Sequence, residues 1–244
     1  MDVSTALRTR RSTRAFKPDP VPHDLLMACL EDAGWAPSWS NTQPYRVAVA
    51  SGRLRDTLSA ELCARFDAGL RLLKAPRWRQ LIGVWRGEKP RSDFPVPMTY
   101  PDDLQEARRA AGLGLYERLG IRRDDRASRD RQMRRNYEFF GAPVALVVFA
   151  HAGLGAYAPV DAGVFLQSFL LAAHARGLGT CAQAALAVFA DPVRAAFAVP
   201  PSYRLLVGCS VGFPADHPVN SYNPGRRPVA DLMLPGLGAD RPRR

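Results

Sequence analysis

The order of apolar and polar positions divides most of the chain into helices and strands. Residues 2–9 predict a short helix that runs into a basic turn at 10–14. Pro22 opens a second helix to about residue 34, with Leu25, Leu26, Cys29 and Leu30 at helical spacing. The segment APSWSNTQP is polar and helix-breaking, so 36–44 is a loop. Residues 45–50 alternate and predict a strand, and 53–73 predict a helix. Residues 75–100 contain Pro76, Pro90, Pro95 and Pro97 and read as irregular, while 102–138 read as helical and dense in charge. The continuous apolar run PVALVVFA at 143–150 predicts a buried strand. Residues 159–176 form a helix that is apolar nearly all round, which places it either centrally or at a subunit interface. Residues 177–185 are a glycine-led turn into a small-residue segment. Residues 191–198 form a helix with Asp191 as N-cap and Pro192 in the first helical position. Residues 205–212 form another buried strand, and no convincing helix follows Phe213. Helices and strands intermingle without a strict βαβ repeat, which argues for an α+β fold.

Composition narrows this picture. The 244 residues are 47% hydrophobic, enough for one substantial core and too apolar for a disordered chain. The longest membrane-span candidate, 160–175, is interrupted by Asp161, Gln167, Ser168 and His174, and the first residues lack the apolar stretch of a signal peptide. Cys29, Cys63, Cys181 and Cys209 form no C-x-x-C pair, which fits a reducing compartment; a cytoplasmic protein is expected. The four histidines are scattered, so no metal site is expected.

The net charge is +11, and only three of the 34 basic residues are lysines. Such a balance admits a basic nucleic-acid-binding protein as a rival reading. Residues 101–135, however, carry ten arginines against seven acids and lack interleaved aromatics. They read as a solvated, ion-paired surface, and neither a nucleic-acid nor a membrane partner is expected.

Several motifs bear on chemistry. Gly208-Cys209-Ser210-Val211-Gly212 matches G-x-S-x-G, but no helix follows and no triad partner has a sensible spacing. Gly153-Leu154-Gly155-Ala156-Tyr157-Ala158 matches a loose dinucleotide fingerprint without a βαβ frame. The segment Arg10-Arg11-Ser12-Thr13-Arg14 is more informative, because guanidinium forks and hydroxyls suit a phosphate. The loop at 36–45 adds amide and aromatic side chains that suit a planar heterocycle. Together they suggest a phosphorylated planar cofactor.

RRSTRAF followed by APSWSNTQPY resembles the N-terminal signature of the FMN-dependent nitroreductase family. GLGTCAQAAL after an apolar helix, and RLLVGCSVGFP followed by PVNSYNPGRRP, are similar to the family's flavin-edge segment, final strand and C-terminal arm. The middle, from DFPVPMTYPDDL to RRNYEFFGAPV, is similar to its nitroaromatic-reducing branch. The resemblance implies a mixed central sheet flanked by helices, in an intertwined homodimer with an extended C-terminal arm. It implies one FMN-binding domain over 1–232, an excursion at 86–140 covering the site, and a disordered basic tail at 233–244.

By the same resemblance, Arg10, Ser12 and Arg14 hold the FMN phosphate and ribityl chain, with Arg11 adjacent. Pro37, Ser38, Trp39, Asn41 and Gln43 approach the flavin from the partner subunit. Backbone N–H groups near Gln183, Ala184 and Ala185 meet the flavin N5 edge. Either Arg226 or Arg227 closes on the phosphate, and Asn136 or Tyr137 meets the pyrimidine edge. The implied activity is ping-pong hydride transfer from NADPH or NADH through the flavin N5 to a nitroaromatic or quinone acceptor. Reductive dehalogenation and flavin cleavage are the alternatives on the same fold.

Overall fold

The computed structural model describes residues 1–79, 90–96, 99–234 and 236. In chain order they include α1 (Val3–Thr9), α2 (His23–Gly34), β1 (Tyr45–Ser51), α3 (Gly52–Lys74), α4 (Asp102–Arg118), α5 (Arg126–Arg134), β2 (Val144–His151), α6 (Tyr157–Ala175), β3 (Gly179–Gln183), α7 (Ala190–Ala196) and β4 (Tyr203–Gly212). Part of the irregular stretch expected at 75–100, and most of the basic tail expected at 233–244, lie outside the described residues. No helix among the described residues is long and apolar enough to cross a membrane.

The four strands form one sheet in the order β1-β2-β4-β3. Every neighbouring pair is antiparallel, which corrects the expected mixed sheet. The reason is topological. The unit β2-α6-β3 lays its two strands in the same direction, but β4 returns between them. One isolated parallel bridge, Ser12 to Thr180, extends the sheet at its β3 side.

The run PVALVVFA is continuous because β2 is buried on both faces. Val144, Leu146, Val148 and Ala150 face α2 and α6, packing with Leu26, Cys29, Phe165 and Phe169. Ala145, Val147 and Phe149 face α3 and α7, packing with Leu58, Leu62 and Val193. The β2–β4 register shifts between Val148 and Phe149, where Val207 and Leu205 are the partners. That bulge adds a residue to β4 and exchanges its faces. Tyr203 and Leu205 therefore join the α3 side, whereas Cys209 and Val211, at the same parity, join the α6 side.

Most predicted elements occur, with four corrections. The single helix expected over 102–138 is two helices; the chain turns after Arg118, and Asp125 starts α5 by accepting a hydrogen bond from Ser128 N–H at 2.9 Å. The small-residue segment after Gly177 is strand β3. Asp191 lies inside the first turn of α7 and is not its N-cap. Short 3-10 turns at Pro218–Ser221 and Val229–Asp231 interrupt the C-terminal segment.

Helix α6 is not buried all round. Phe165 and Phe169 are in the core, whereas Tyr157 and Val160 on its N-terminal half remain 57% and 59% exposed. At its other end, the His174 Nε2 atom lies 2.8 Å from Thr9 Oγ1, and that hydroxyl donates to Thr5 O. Nε2 is thus the donor in the His174–Thr9 bond.

Burial, and then Arg10 and Arg11, lower the pKa of His174 below its ordinary 6.5. Above that value both folded and unfolded chains hold a neutral imidazole. Below it the unfolded chain takes up a proton that the folded chain resists, so stability is lost as pH falls. Urea midpoints of the wild type are expected to drop between pH 7 and pH 5.5 more steeply than those of His174→Gln.

Candidate active site

The basic turn is attached to the sheet edge by its backbone. Thr13 N donates to Thr180 O at 2.9 Å, Lys17 N to Phe213 O at 2.9 Å, and Ala215 N to Ala15 O at 3.0 Å. Residues 12–17 thus continue the sheet beside β3 and beside the exit of β4. Gly179 permits this approach: a Cβ there would lie 2.5 Å from Thr13 Oγ1 and 2.9 Å from Thr13 Cβ. The chain after β4 then folds back, and Asn223 Oδ1 accepts from Gly225 N at 3.1 Å. Gly225, at φ +74°, reverses the chain in this turn and brings Arg226 back to the same place.

The result is a cavity of about 260 Å³ lined by Arg10, Arg11, Ser12 and Arg14 from the basic turn and by Arg226 from the C-terminal segment, with α4 and Tyr222 on the other side. None of the ion pairs among the described residues involves these four arginines. Arg14 Nη1 donates to Ser12 O at 3.3 Å, and Arg11 Nη1 to Arg8 O at 2.5 Å, so their contacts are with neutral carbonyls. Arg10 is half-buried, and burial, then Arg226 and Arg11, disfavour its charge. The cavity is a concentration of cations.

Several arginines elsewhere are different. Arg122 pairs with Asp124 at 2.9 Å, Arg134 with Asp67 at 3.1 Å and with Glu138, Arg176 with Asp32 at 2.7 Å, and Arg194 with Asp93 at 2.6 Å. These are partly or fully solvated pairs, worth little individually, but they offset charge where it arises.

The other expected site residues divide into groups. Arg226 lines the cavity and Arg227 does not. Ala184 is exposed and Ala185 half-buried in the first turn of the 3-10 helix Ala184–Val188, where backbone N–H groups have no intrahelical acceptor. The Gln183 side chain is buried: its Nε2 donates to Asn136 O at 2.7 Å and its Oε1 accepts from Ser210 Oγ at 2.5 Å. Ser210, the serine of the G-x-S-x-G match, is fully buried in that bond and is no exposed nucleophile. Tyr137 packs between Phe66 and Phe189, and burial pushes its phenol up to about 12. It is a core residue. Asn136 turns its side chain back to Met133 O at 3.0 Å.

Pro37, Ser38, Trp39, Asn41 and Gln43 do not line this cavity. They form a strained turn, with Ser40, Asn41 and Gln43 at positive φ. Ser38 Oγ accepts from Gln43 N at 2.9 Å, and buried Asp161 accepts from Trp39 N at 3.1 Å. Trp39 stacks against Tyr157 with ring centroids 4.5 Å apart and is 53% exposed.

Two contributors were not singled out in the sequence, although one of them, α4, lies within the excursion expected at 86–140. Ala111, Gly112 and Leu115 of α4 line the cavity, and Tyr222 Oη donates to Ala111 O at 2.8 Å. The available signal was the AAGLGL run, which interrupts an otherwise charged helix. Asn220, which bonds to the basic turn, was the second.

This fold and cavity define a class. The chain belongs to the nitroreductase family, whose profile matches residues 7–213. It is 35% identical to the 4-nitrobenzoate reductase of Nocardioides sp. (strain LMS-CY), over 91% of this chain and 85% of the relative. It is 32% identical to the 4-nitrobenzoate reductase of Pseudomonas putida, over 98% of this chain and 97% of the relative. Its structure is similar to the crystal structure of the FMN-dependent nitroreductase NfnB from Mycobacterium smegmatis in complex with NADPH, with a TM-score of 0.81 and 33% identity over 96% of this chain and 97% of that one.

The Ser210–Gln183 bond gives a test of the buried-serine assignment. Ser210→Ala leaves the buried Gln183 Oε1 without its donor. It is expected to destabilise the fold by about 1–3 kcal/mol in urea unfolding.

Proposed function

We propose that this chain is an FMN-dependent NAD(P)H oxidoreductase that reduces nitroaromatic compounds, with NADPH or NADH as reductant and quinones as a further acceptor class. The observation that carries the reading is the cavity, where Arg10, Arg14 and Arg226 converge with no carboxylate partner among the described residues. A phosphate monoester supplies the missing negative charge and enough acceptor oxygens for guanidinium forks and the Ser12 hydroxyl. The residues present therefore fit FMN. Two relatives named as 4-nitrobenzoate reductases, and a structural relative named as FMN-dependent and crystallised with NADPH, support the same chemistry.

In this reading Arg10, Ser12, Arg14 and Arg226 hold the phosphate, with Arg11 beside them. An anion in the cavity favours the charged form of Arg10 that burial and Arg226 disfavour, so binding and charge reinforce each other. FMN, when bound, supplies hydride acceptance from the nicotinamide and delivery of reducing equivalents to the acceptor. In the same reading, backbone N–H groups at Ala184 and Ala185 stabilise negative charge on the cofactor; the free N–H groups of this first 3-10 turn support it.

We assign Pro37, Ser38, Trp39, Asn41 and Gln43 to the cofactor of a second copy of this chain, in a homodimer. Their separation from the arginine cavity of their own chain supports this. So does the apolar surface around them: Trp35 is 90% exposed, and Trp39, Tyr157 and Val160 each exceed 50%. Apolar groups exposed in this concentration mark an interaction surface.

The test begins with FMN binding. The protein is expected to bind FMN with a flavin absorption spectrum that NADPH or NADH bleaches under argon and a nitroaromatic acid restores. Arg14→Ala is expected to weaken FMN binding about tenfold or more, roughly 1.4 kcal/mol or above. Arg122→Ala, at an exposed pair with Asp124, is expected to leave it unchanged. Equal effects of the two substitutions, or a protein that takes up no FMN, overturn the reading. Sedimentation is expected to show a dimer.

A further inference from the structure

Asn220 lies outside the cavity lining, yet its side-chain amide is bonded to Arg14 and Ala15 at the end of the basic turn. Its Oδ1 accepts from Arg14 N at 2.8 Å and from Ala15 N at 3.2 Å. Its Nδ2 donates to Ala15 O at 2.8 Å and to Ala215 O at 2.9 Å. Two acceptor positions and two donors are the whole capacity of a primary amide, and all four are used. Asn220 itself sits in the 3-10 turn Pro218–Ser221, six residues before Arg226.

The consequence is mechanical. Arg14 belongs to the N-terminal turn and Arg226 to the C-terminal segment, more than 200 residues later in the chain. Guanidinium groups brought into one cavity repel each other, and no carboxylate among the described ion pairs offsets them there. Something neutral must hold the two segments in register before the anion arrives. The backbone bonds Lys17 N to Phe213 O and Ala215 N to Ala15 O begin the junction, and the Asn220 amide completes it next to Arg14.

We propose that Asn220 is the positioning residue of the phosphate site, setting the separation of Arg14 and Arg226 without touching the ligand. This rests on the FMN reading above. Asparagine suits the role because a carboxylate at this place lacks the two donors and opposes the bound anion. An alanine leaves Arg14 N and Ala15 N to find other acceptors.

Riboflavin, which lacks the phosphate, separates positioning from general structure. Dissociation constants for FMN and riboflavin are measured by flavin-fluorescence quenching on the full-length apoprotein. The wild type is expected to bind FMN at least a hundredfold tighter than riboflavin. Asn220→Ala is expected to lose at least tenfold in FMN affinity with riboflavin affinity unchanged. Asn220→Asp keeps both acceptor contacts while losing the donors to Ala15 O and Ala215 O, and it is expected to lose at least as much for FMN alone; it carries the test if the alanine variant does not fold. Variants that retain the wild-type FMN-to-riboflavin ratio, including loss of both ligands in parallel, overturn the proposal and leave the FMN reading standing. A wild type that binds the two ligands equally overturns the phosphate assignment and this proposal with it.

Discussion

Like charges repel, and the cavity between the basic turn and the C-terminal segment gathers arginines that form no ion pair among the described residues. Their convergence is not self-assembling: in an unsupported chain the guanidinium groups would separate and hydrate. The neutral framework of the sheet edge supplies the force that opposes this. Backbone bonds from Thr13 and Lys17, and the close approach that Gly179 allows, hold the turn against β3 and the exit of β4. The site is thus an electrostatically unfavourable arrangement kept ready by hydrogen bonds that carry no net charge. An anion would relieve it, and that is the physical reason for the phosphate assignment proposed above.

That framework needs a rigid anchor, and the anchor is β2. It is buried on both faces, with Val147 and Val148 fully inaccessible on opposite sides. The bulge in β4 lets one strand serve both layers, since Leu205 packs toward α3 and Cys209 toward α6. Polar groups in this core are partnered at Gln183 and Ser210, whereas the buried Tyr45 hydroxyl has no hydrogen-bond partner among the described residues. Gln183 and Ser210 use each other and Asn136, so the strand that leads to the exposed Ala184 turn is fixed from below. Elsewhere Arg122, Arg134, Arg176 and Arg194 have acidic partners, whereas the cavity arginines form no ion pair among the described residues.

The helical and strand boundaries were legible where burial imposed a clear period. Helices α2 and α3 and strands β1, β2 and β4 all lie where their patterns place them. Strand β3 was not legible, because GTCAQ has little β-branched or aromatic content and is a strand through pairing with Gly208–Gly212. Local pattern also overran the break between α4 and α5, since charge density continues through a turn that Asp125 closes. The antiparallel order was hidden for a related reason: a helix between two strands looks the same whether or not a later strand inserts between them.

The sequence by itself determined the chemistry on offer: RRSTR, the NTQ loop and the NPGRR segment, each with its functional groups and a turn to present them. It also determined the family, through blocks spread along the chain. Tertiary structure alone decided which of these groups meet. It selected Arg226 over Arg227 as a cavity residue, turned Gln183 inward, buried Tyr137, and separated the 37–43 loop from the arginines of its own chain. It also gave Asn220 and the AAGLGL face of α4 their places at the site. Side-chain type is a local property of the chain, whereas convergence is a long-range one: the contacts that set it join residues about 200 positions apart, and no local period records them.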